Sequence, residues 1–196
     1  MNNTRPATIS KRLIPLLFGI FLIISTPAYG AQIEGVTFDD AAVVNGKTLP
    51  LRGVGLLRYM IFIKAYVGAF YMDKNISSDQ VFSDVEKQLV LHYFHAISAE
   101  DFADATTEMI EKNVSPERFS ALRSRIDALN ALYRDVKPGD RYTATYIPGQ
   151  GTSLALNDTV LGTIPDAEYA NAFFAIWIGE NPIDKKFRDQ LLGKRK

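Results

Sequence analysis

Residues 53–72, GVGLLRYMIFIKAYVGAFYM, are the longest apolar run outside the N-terminal leader, and they constrain the fold more than any other stretch. The run is rich in β-branched and aromatic residues, which favour strand over helix. Gly53 and Gly55 open it, and Asp73-Lys74-Asn75 closes it. Read as one extended strand, its side chains alternate between two faces. Leu57, Tyr59, Ile61, Ile63 and Val67 fall on one face; Arg58, Met60, Phe62, Lys64 and Tyr66 fall on the other. Both faces are largely apolar, so the expectation is a central strand covered on both sides. The second face also holds an arginine, a lysine and a tyrosine, which suggests a hydrophobic pocket with one cationic end.

The first 30 residues read as an export leader. Arg5, Lys11 and Arg12 form a positive region without an acidic residue, and Leu13 to Ile24 is an apolar core of twelve residues. Ser25-Thr26-Pro27 breaks that core, and Ala28-Tyr29-Gly30-Ala31 offers small residues where a signal peptidase reads. The expectation is cleavage after Gly30 and a periplasmic protein. Twelve apolar residues fall short of the ~20 that a spanning helix needs, so no transmembrane span is expected after processing. Removing the leader's three cations leaves 19 Lys and Arg against 22 Asp and Glu, a net charge of −3. No basic stripe remains, which argues against a nucleic-acid partner. The chain has no cysteine, which excludes disulfides, thiol catalysis and thiolate metal sites. The remaining residues, 31–196, are enough for one domain with its own core.

Punctuation along the chain sets the element order. Asn45-Gly46 is a two-residue hairpin signal between strands over 36–44 and 47–52. Ser77 to Gln80 can cap a short helix through Val85, and Gln88 to Ile97 reads as a strand. Ser98 with Asp101 three residues on is a variant capping box for a helix bearing Phe102, Ala105 and Met109. Ser115-Pro116 starts a second helix, with proline where its missing N–H costs nothing. Arg141 to Ile147 alternates as a strand, and Asn157-Asp158 turns a hairpin between 152–157 and 159–164. Asp166 caps a helix through Trp177, and a last short helix covers 184–192. Strands, a helix pair, strands and then helices make an α+β fold with helices on one side of an antiparallel sheet.

Few residues invite chemistry. Arg58 among apolar neighbours must be paired or solvated, and its planar guanidinium suits a carboxylate. It either anchors an anionic ligand or pairs with an internal acid. Tyr66 follows eight residues later, roughly 26 Å away along a straight strand at ~3.3 Å per residue. The two share a site only if the chain bends between them. His92 and His95 are the only histidines, and three-residue spacing on a strand points them to opposite faces, away from a shared metal. Phe173, Phe174 and Trp177 read as core, with stacking against a ligand as the alternative. No serine elbow, phosphate-cradling glycine loop or metal motif is present, and neither a metal nor a cofactor is expected.

The run at 53–72 resembles the signature of the chalcone isomerase-like superfamily. That signature is a glycine pair, an arginine, then a lysine leading into a strand that ends in tyrosine and an aliphatic residue. LNDTVLGTIPDAEYANAFFAIWIGENPIDKKFRDQLLG is similar to the C-terminal part of the secreted bacterial members, and SAEDFADATTEMIEKN fits the helix between. The resemblance covers about Gln32 to Gly193. It implies an open-faced β-sandwich, with helices layered over one face of a large antiparallel sheet and a ligand cleft between them. Plant members cyclise chalcones there, and fatty-acid-binding members hold an acyl chain with an arginine and a tyrosine at the carboxylate.

Carried onto this sequence, the resemblance places the family arginine at Arg58. The isomerases' catalytic threonine position falls on Tyr66, where the fatty-acid-binding branch has tyrosine. Their catalytic tyrosine maps near Phe102, which lacks a hydroxyl, and their lysine and asparagine find no match near Ala105 and Met109. The arginine is kept and most of the cyclisation apparatus is not. The resemblance therefore implies a non-catalytic binder of a fatty acid or other small hydrophobic carboxylate, with Arg58, Tyr66 and Phe102 as ligand-binding residues. Two alternatives stay open. One is an isomerase or intramolecular lyase using Arg58 and Tyr66; the other is a structural or assembly partner in the envelope.

Overall fold

The computed structural model describes residues 30–60 and 62–194, together with Met1. The leader expectation rests on residues outside that set. Among the described residues, nine strands and four α-helices follow in chain order. A small hairpin, β1 (Gln32–Ile33) and β2 (Val36–Thr37), precedes β3 (Ala41–Val44), β4 (Lys47–Tyr59), β5 (Ile63–Met72) and β6 (Lys87–Tyr93). Helices α1 (Ala99–Asn113) and α2 (Pro116–Asn130) come next. Strands β7 (Arg141–Ile147), β8 (Gly151–Leu156) and β9 (Thr159–Ile164) then lead to α3 (Ala167–Ile178) and α4 (Lys185–Leu191). Strands β3 to β9 form one seven-stranded antiparallel sheet in sequential order, curled into a half-barrel. The fold is α+β, as the element order predicts. Among the described residues, no helix is long and apolar enough to cross a membrane.

Alternation in β5 divides the core. Tyr66, Phe70 and Met72 face the helix layer and join its buried cluster. Val67, Ala69 and Tyr71 face the other way, where the β1–β2 hairpin and Phe38 cover them. The small hairpin thus closes part of the sheet's open face.

The single-strand expectation for residues 53–72 is corrected. The run folds back on itself as the β4–β5 hairpin, pairing Leu57 with Tyr66 and Arg58 with Lys64. The reversal has no glycine, proline or asparagine. Met60 adopts a positive φ of 48°, and the Phe62 N–H donates to Met60 O at 2.7 Å. Ala65 is an extra residue on β5, a bulge that breaks strict alternation. Lys64 and Tyr66, two apart in sequence, therefore lie on opposite faces.

The glycines serve docking. Gly55 pairs with Gly68 across the hairpin, and the fully buried Phe187 ring of α4 lies over both. A Cβ on Gly53 would sit 2.0 Å from Gln190 O, so only glycine lets α4 approach this closely.

Two further boundaries differ from the sequence reading. The helix expected through Val85 is a single 3-10 turn, Ser78–Gln80. Beyond it the carbonyls of Val81 and Ser83, which a helix would use internally, accept from Lys87 Nζ at 2.8 and 3.2 Å. The strand expected to reach Ile97 ends at Tyr93. Phe94 N–H then bonds to Ala65 O at the bulge, and Ile97 bridges Val136. The helix starts follow their caps: Ser98 and Asp101 form a full capping box, and Asp166 accepts from Glu168 N at 2.7 Å.

Candidate functional site

Between the sheet and helices α1 and α3 lies a cavity of about 530 Å³. Leu89, Leu91, Ala144 and Leu154 of the sheet form its floor. Phe102, Ala105 and Met109 of α1 and Phe173, Ile176 and Trp177 of α3 form its roof. Tyr59 and Ile183, both exposed, stand at its rim. Its size lies within the ~300–1,000 Å³ of small-molecule pockets, and its walls are mainly apolar, as such pockets are.

Besides Tyr59 at the rim, four buried phenol rings line this space: Tyr66, Tyr93, Tyr133 and Tyr142. Two have their hydroxyls committed. Tyr133 shares a 2.7 Å hydrogen bond with Thr106, and Tyr142 donates to Arg134 O at 2.8 Å and accepts from Arg134 N at 2.7 Å. The other two keep capacity. Trp177 Nε1–H, which can only donate, gives its proton to Tyr66 Oη at 3.1 Å. The Tyr66 hydroxyl proton is therefore left for another acceptor. Among the described residues no hydrogen bond engages the Tyr93 hydroxyl. The two rings meet edge to face with centroids 5.4 Å apart, so they stand side by side in the cavity wall. Burial pushes the Tyr66 hydroxyl far above the ordinary phenol value, against the smaller opposing pull of the Trp177 bond. Burial raises Tyr93 likewise, helped by its phenol neighbours. Both are neutral hydrogen-bond donors at any physiological pH.

The three residues singled out from sequence part company. Tyr66 and Phe102 line the cavity. Phe102 stacks on Tyr133 at 5.3 Å and meets Tyr93 and Tyr142 edge-on, closing an aromatic cage without a hydroxyl. Arg58 is not among the lining residues. Beside the Ala65 bulge it lies on the face with Lys64, and its Nη2 stands 3.6 Å from Glu34 Oε1. Glu34 is held more closely by Lys64 Nζ, at 2.5 Å. The hairpin brings Arg58 and Tyr66 close along the backbone, and the bulge turns their side chains apart.

His92 lies outside the cavity, accepting from Arg141 Nε at 3.3 Å, and burial followed by the nearby Arg141 charge lowers its pKa. His95 lines a separate shallow recess with Glu34, Phe62 and Lys64. Asp101, on the rim, is occupied by Ser98 Oγ at 2.6 Å. Tyr93 is the site residue that sequence reasoning missed, and Trp177, read first as core, lines the cavity with Phe173. Tyr66 and Trp177 are 111 residues apart, so only the topology joins them. A period-2 reading of Lys87, Leu89, Leu91 and Tyr93 puts them on one face and is the signal that could have found Tyr93.

A family profile described as chalcone isomerase-like matches residues 30–193. The fold is similar to the solved structure of an Arabidopsis thaliana fatty-acid binding protein, with a TM-score of 0.68 and 17% identity, covering 84% of this chain and 96% of that one. A Haemophilus influenzae protein described as uncharacterized is 36% identical over 74 residues. That match takes in 38% of this chain and 36% of the relative's length.

Proposed function

We propose that this chain, which belongs to the chalcone isomerase-like family, is a non-catalytic binding protein for a fatty acid or a similar small hydrophobic carboxylate. The observation that carries the reading is an apolar cavity walled in part by two neighbouring phenols, Tyr66 and Tyr93, whose hydroxyls still have a proton to donate. Allowing each ligand atom ~30 Å³, the share of one water in the liquid, the cavity takes roughly 18 non-hydrogen atoms. That is the size of a long-chain fatty acid. Each buried methylene contributes ~0.8 kcal/mol, so the tail supplies most of the affinity. Tyr66 and Tyr93 donate to the head group, and their neutrality suits donation rather than proton abstraction. The solved structure of the same fold is that of a fatty-acid binding protein, which supports an acyl ligand.

In this proposal Arg58, which faces away from the cavity, completes the head-group site by leaving Glu34 and turning round the edge of β4, which β3 pairs only as far as Pro50. The exchange costs little: the Arg58 side chain is 42% exposed, the pair is long, and Lys64 still neutralises Glu34. The test is calorimetric titration with a long-chain fatty acid and its methyl ester. Tyr66→Phe weakens acid binding roughly two- to tenfold, the worth of one neutral hydrogen bond. Arg58→Ala weakens the acid more than the ester, by about tenfold or more for a charge-assisted bond. Equal losses for acid and ester remove Arg58 from the site, and no uptake of either ligand sinks the binding reading. Export to the periplasm belongs to the same proposal. Protein from fractionated cells should begin at Ala31 in the periplasmic fraction, and an intact leader on cytoplasmic protein overturns this.

A further inference from the structure

We infer that the tip of the β4–β5 hairpin is a membrane-docking prong that seats the cavity mouth on an anionic lipid surface. Tyr59, Met60, Phe62 and Ile63 are 62%, 70%, 85% and 45% exposed, in one short reversal of the chain. A turn built for water has polar or glycine residues, and these four offer no glycine and no polar group but the Tyr59 hydroxyl. Large apolar side chains gathered at a protruding tip have little to gain in solvent.

Two observations select a lipid surface as the partner. The first is continuity with the cavity. Tyr59 belongs both to the prong and to the cavity rim, and exposed Ile183 stands on the same rim. Inserting the tip therefore brings the mouth to the acyl region, where an apolar ligand already resides. The second is charge. Arg58 and Lys64 pair across the hairpin one residue behind Tyr59 and Ile63, a cationic collar at the base of the apolar tip. Exposed Lys185 and Lys186 follow Ile183 two and three residues on. Against these four cations stand three carboxylates: Glu34, between Arg58 and Lys64, Asp184, which caps α4, and Asp101 on the rim. The balance is positive on a chain whose net charge beyond Gly30 is −3. Apolar residues with cations directly behind them suit the boundary between acyl chains and anionic head groups.

The purpose of such docking rests on the hydrophobic-ligand reading, whereas the docking itself does not. The test keeps them apart by measuring vesicle binding, ligand affinity and ligand transfer separately. The protein beginning at Ala31 is compared with its Met60→Asp, Phe62→Asp double variant. Both positions point away from the core, and aspartate tolerates the positive φ of Met60 better than most residues do. Flotation with phosphatidylglycerol–phosphatidylcholine vesicles and with pure phosphatidylcholine vesicles reads binding. The unsubstituted protein should float with both and several-fold more with the anionic ones. The double variant should bind at least about tenfold more weakly, having lost two apolar anchors. Its affinity for a soluble fluorescent fatty acid should stay within about twofold, while transfer of that acid between vesicles slows. Failure of the unsubstituted protein to float, or equal flotation of the variant, overturns the proposal. So does concentration-dependent self-association, without flotation, that the double variant abolishes. Flotation lost in the variant, in a protein that takes up no fatty acid, supports the prong and removes the cavity reading.

Discussion

Ala144→Phe tests whether ligand size is set by this cavity. Ala144 lies on β7 in the cavity floor, between Tyr142 and Tyr146 on the same face and only 5% exposed. The substitution adds a ring of six carbons to that floor. At ~30 Å³ per non-hydrogen atom the ring takes about 180 Å³, a third of the 530 Å³ present. An acyl chain must then give up about six methylenes. At ~0.8 kcal/mol each, the longest acids lose up to ~5 kcal/mol of binding, while acids about six carbons shorter keep theirs. The measurement is displacement of a fluorescent fatty acid by a series of acids of increasing length, in both proteins. The optimum should shorten by about six carbons, not fall uniformly. Thermal unfolding of the variant guards against simple overpacking, which costs ~1–3 kcal/mol where no space exists. An unchanged chain-length profile in a folded variant would place the ligand elsewhere and refute the reasoning.

Phe187→Ala removes the ring that lies over Gly55 and Gly68 and meets Tyr66 edge-on at 5.5 Å; urea unfolding should show a loss of ~3–5 kcal/mol, and under 1 kcal/mol would mean α4 is not held by this contact. Ser98→Ala breaks the capping box of α1 and should cost ~1 kcal/mol in the same assay, with no effect refuting the cap's contribution. Lys87, fully buried, is pushed down from 10.5 to about 8 by burial, against the smaller pull of Asp84. Between those pH values the unfolded chain holds the proton and the native chain does not, so stability rises from pH 8 upward, by at most ~3 kcal/mol. Above pH 10 the unfolded chain loses phenol protons that buried Tyr66, Tyr93, Tyr133 and Tyr169 retain, so stability falls again. Denaturation from pH 7 to 11 should show this turnover, and Lys87→Met should remove the rise; an unchanged rise in that variant would exclude Lys87 as its source.

What was legible in the sequence was local. Asn45-Gly46 adopts two positive φ values and joins β3 to β4, and Asn157-Asp158 does the same between β8 and β9. Ser98, Ser115 and Asp166 each accept backbone N–H bonds at the helix starts they announce. Those signals work because side chain and backbone partner are within three residues of each other. The β4–β5 reversal was illegible for the opposite reason. Its residues carry strand propensity and apolar bulk, and no turn chemistry marks Met60. The Ala65 bulge was equally silent, since nothing about an alanine announces an extra residue. Together they decide that Tyr66 enters the cavity while Arg58 does not, so half of the candidate site depended on features with no local code. The glycine pair was legible as a motif, but its role required α4, more than a hundred residues away, to supply Phe187 and the Gln190 carbonyl.

The cavity also sets a physical condition on the fold. Residual cavities cost ~24 cal/mol per Å³, so 530 Å³ held dry and sealed would cost about 13 kcal/mol. That approaches the whole stability of an ordinary domain, ~5–15 kcal/mol. The roof cannot relieve the cost by settling onto the floor. Phe102, Tyr133, Tyr142 and Tyr93 brace one another at ring distances of 5.2–6.0 Å, and two of their hydroxyls are tied to Thr106 and the Arg134 backbone. Phe173 and Trp177 meet edge-on in α3, and Trp177 is tied to the sheet through Tyr66. A wall that is braced open and lined with apolar groups is stabilised by whatever apolar molecule fills it. Ligand binding and folding are then linked, and stability should grow as RT ln(1 + [L]/Kd) with free ligand. At a hundredfold excess over Kd the gain is ~2.7 kcal/mol, several degrees in the melting midpoint of a domain this size. A series of acids should therefore rank in thermal shift as they rank in affinity. Acids that bind without shifting the midpoint would show that they occupy a surface outside the braced core.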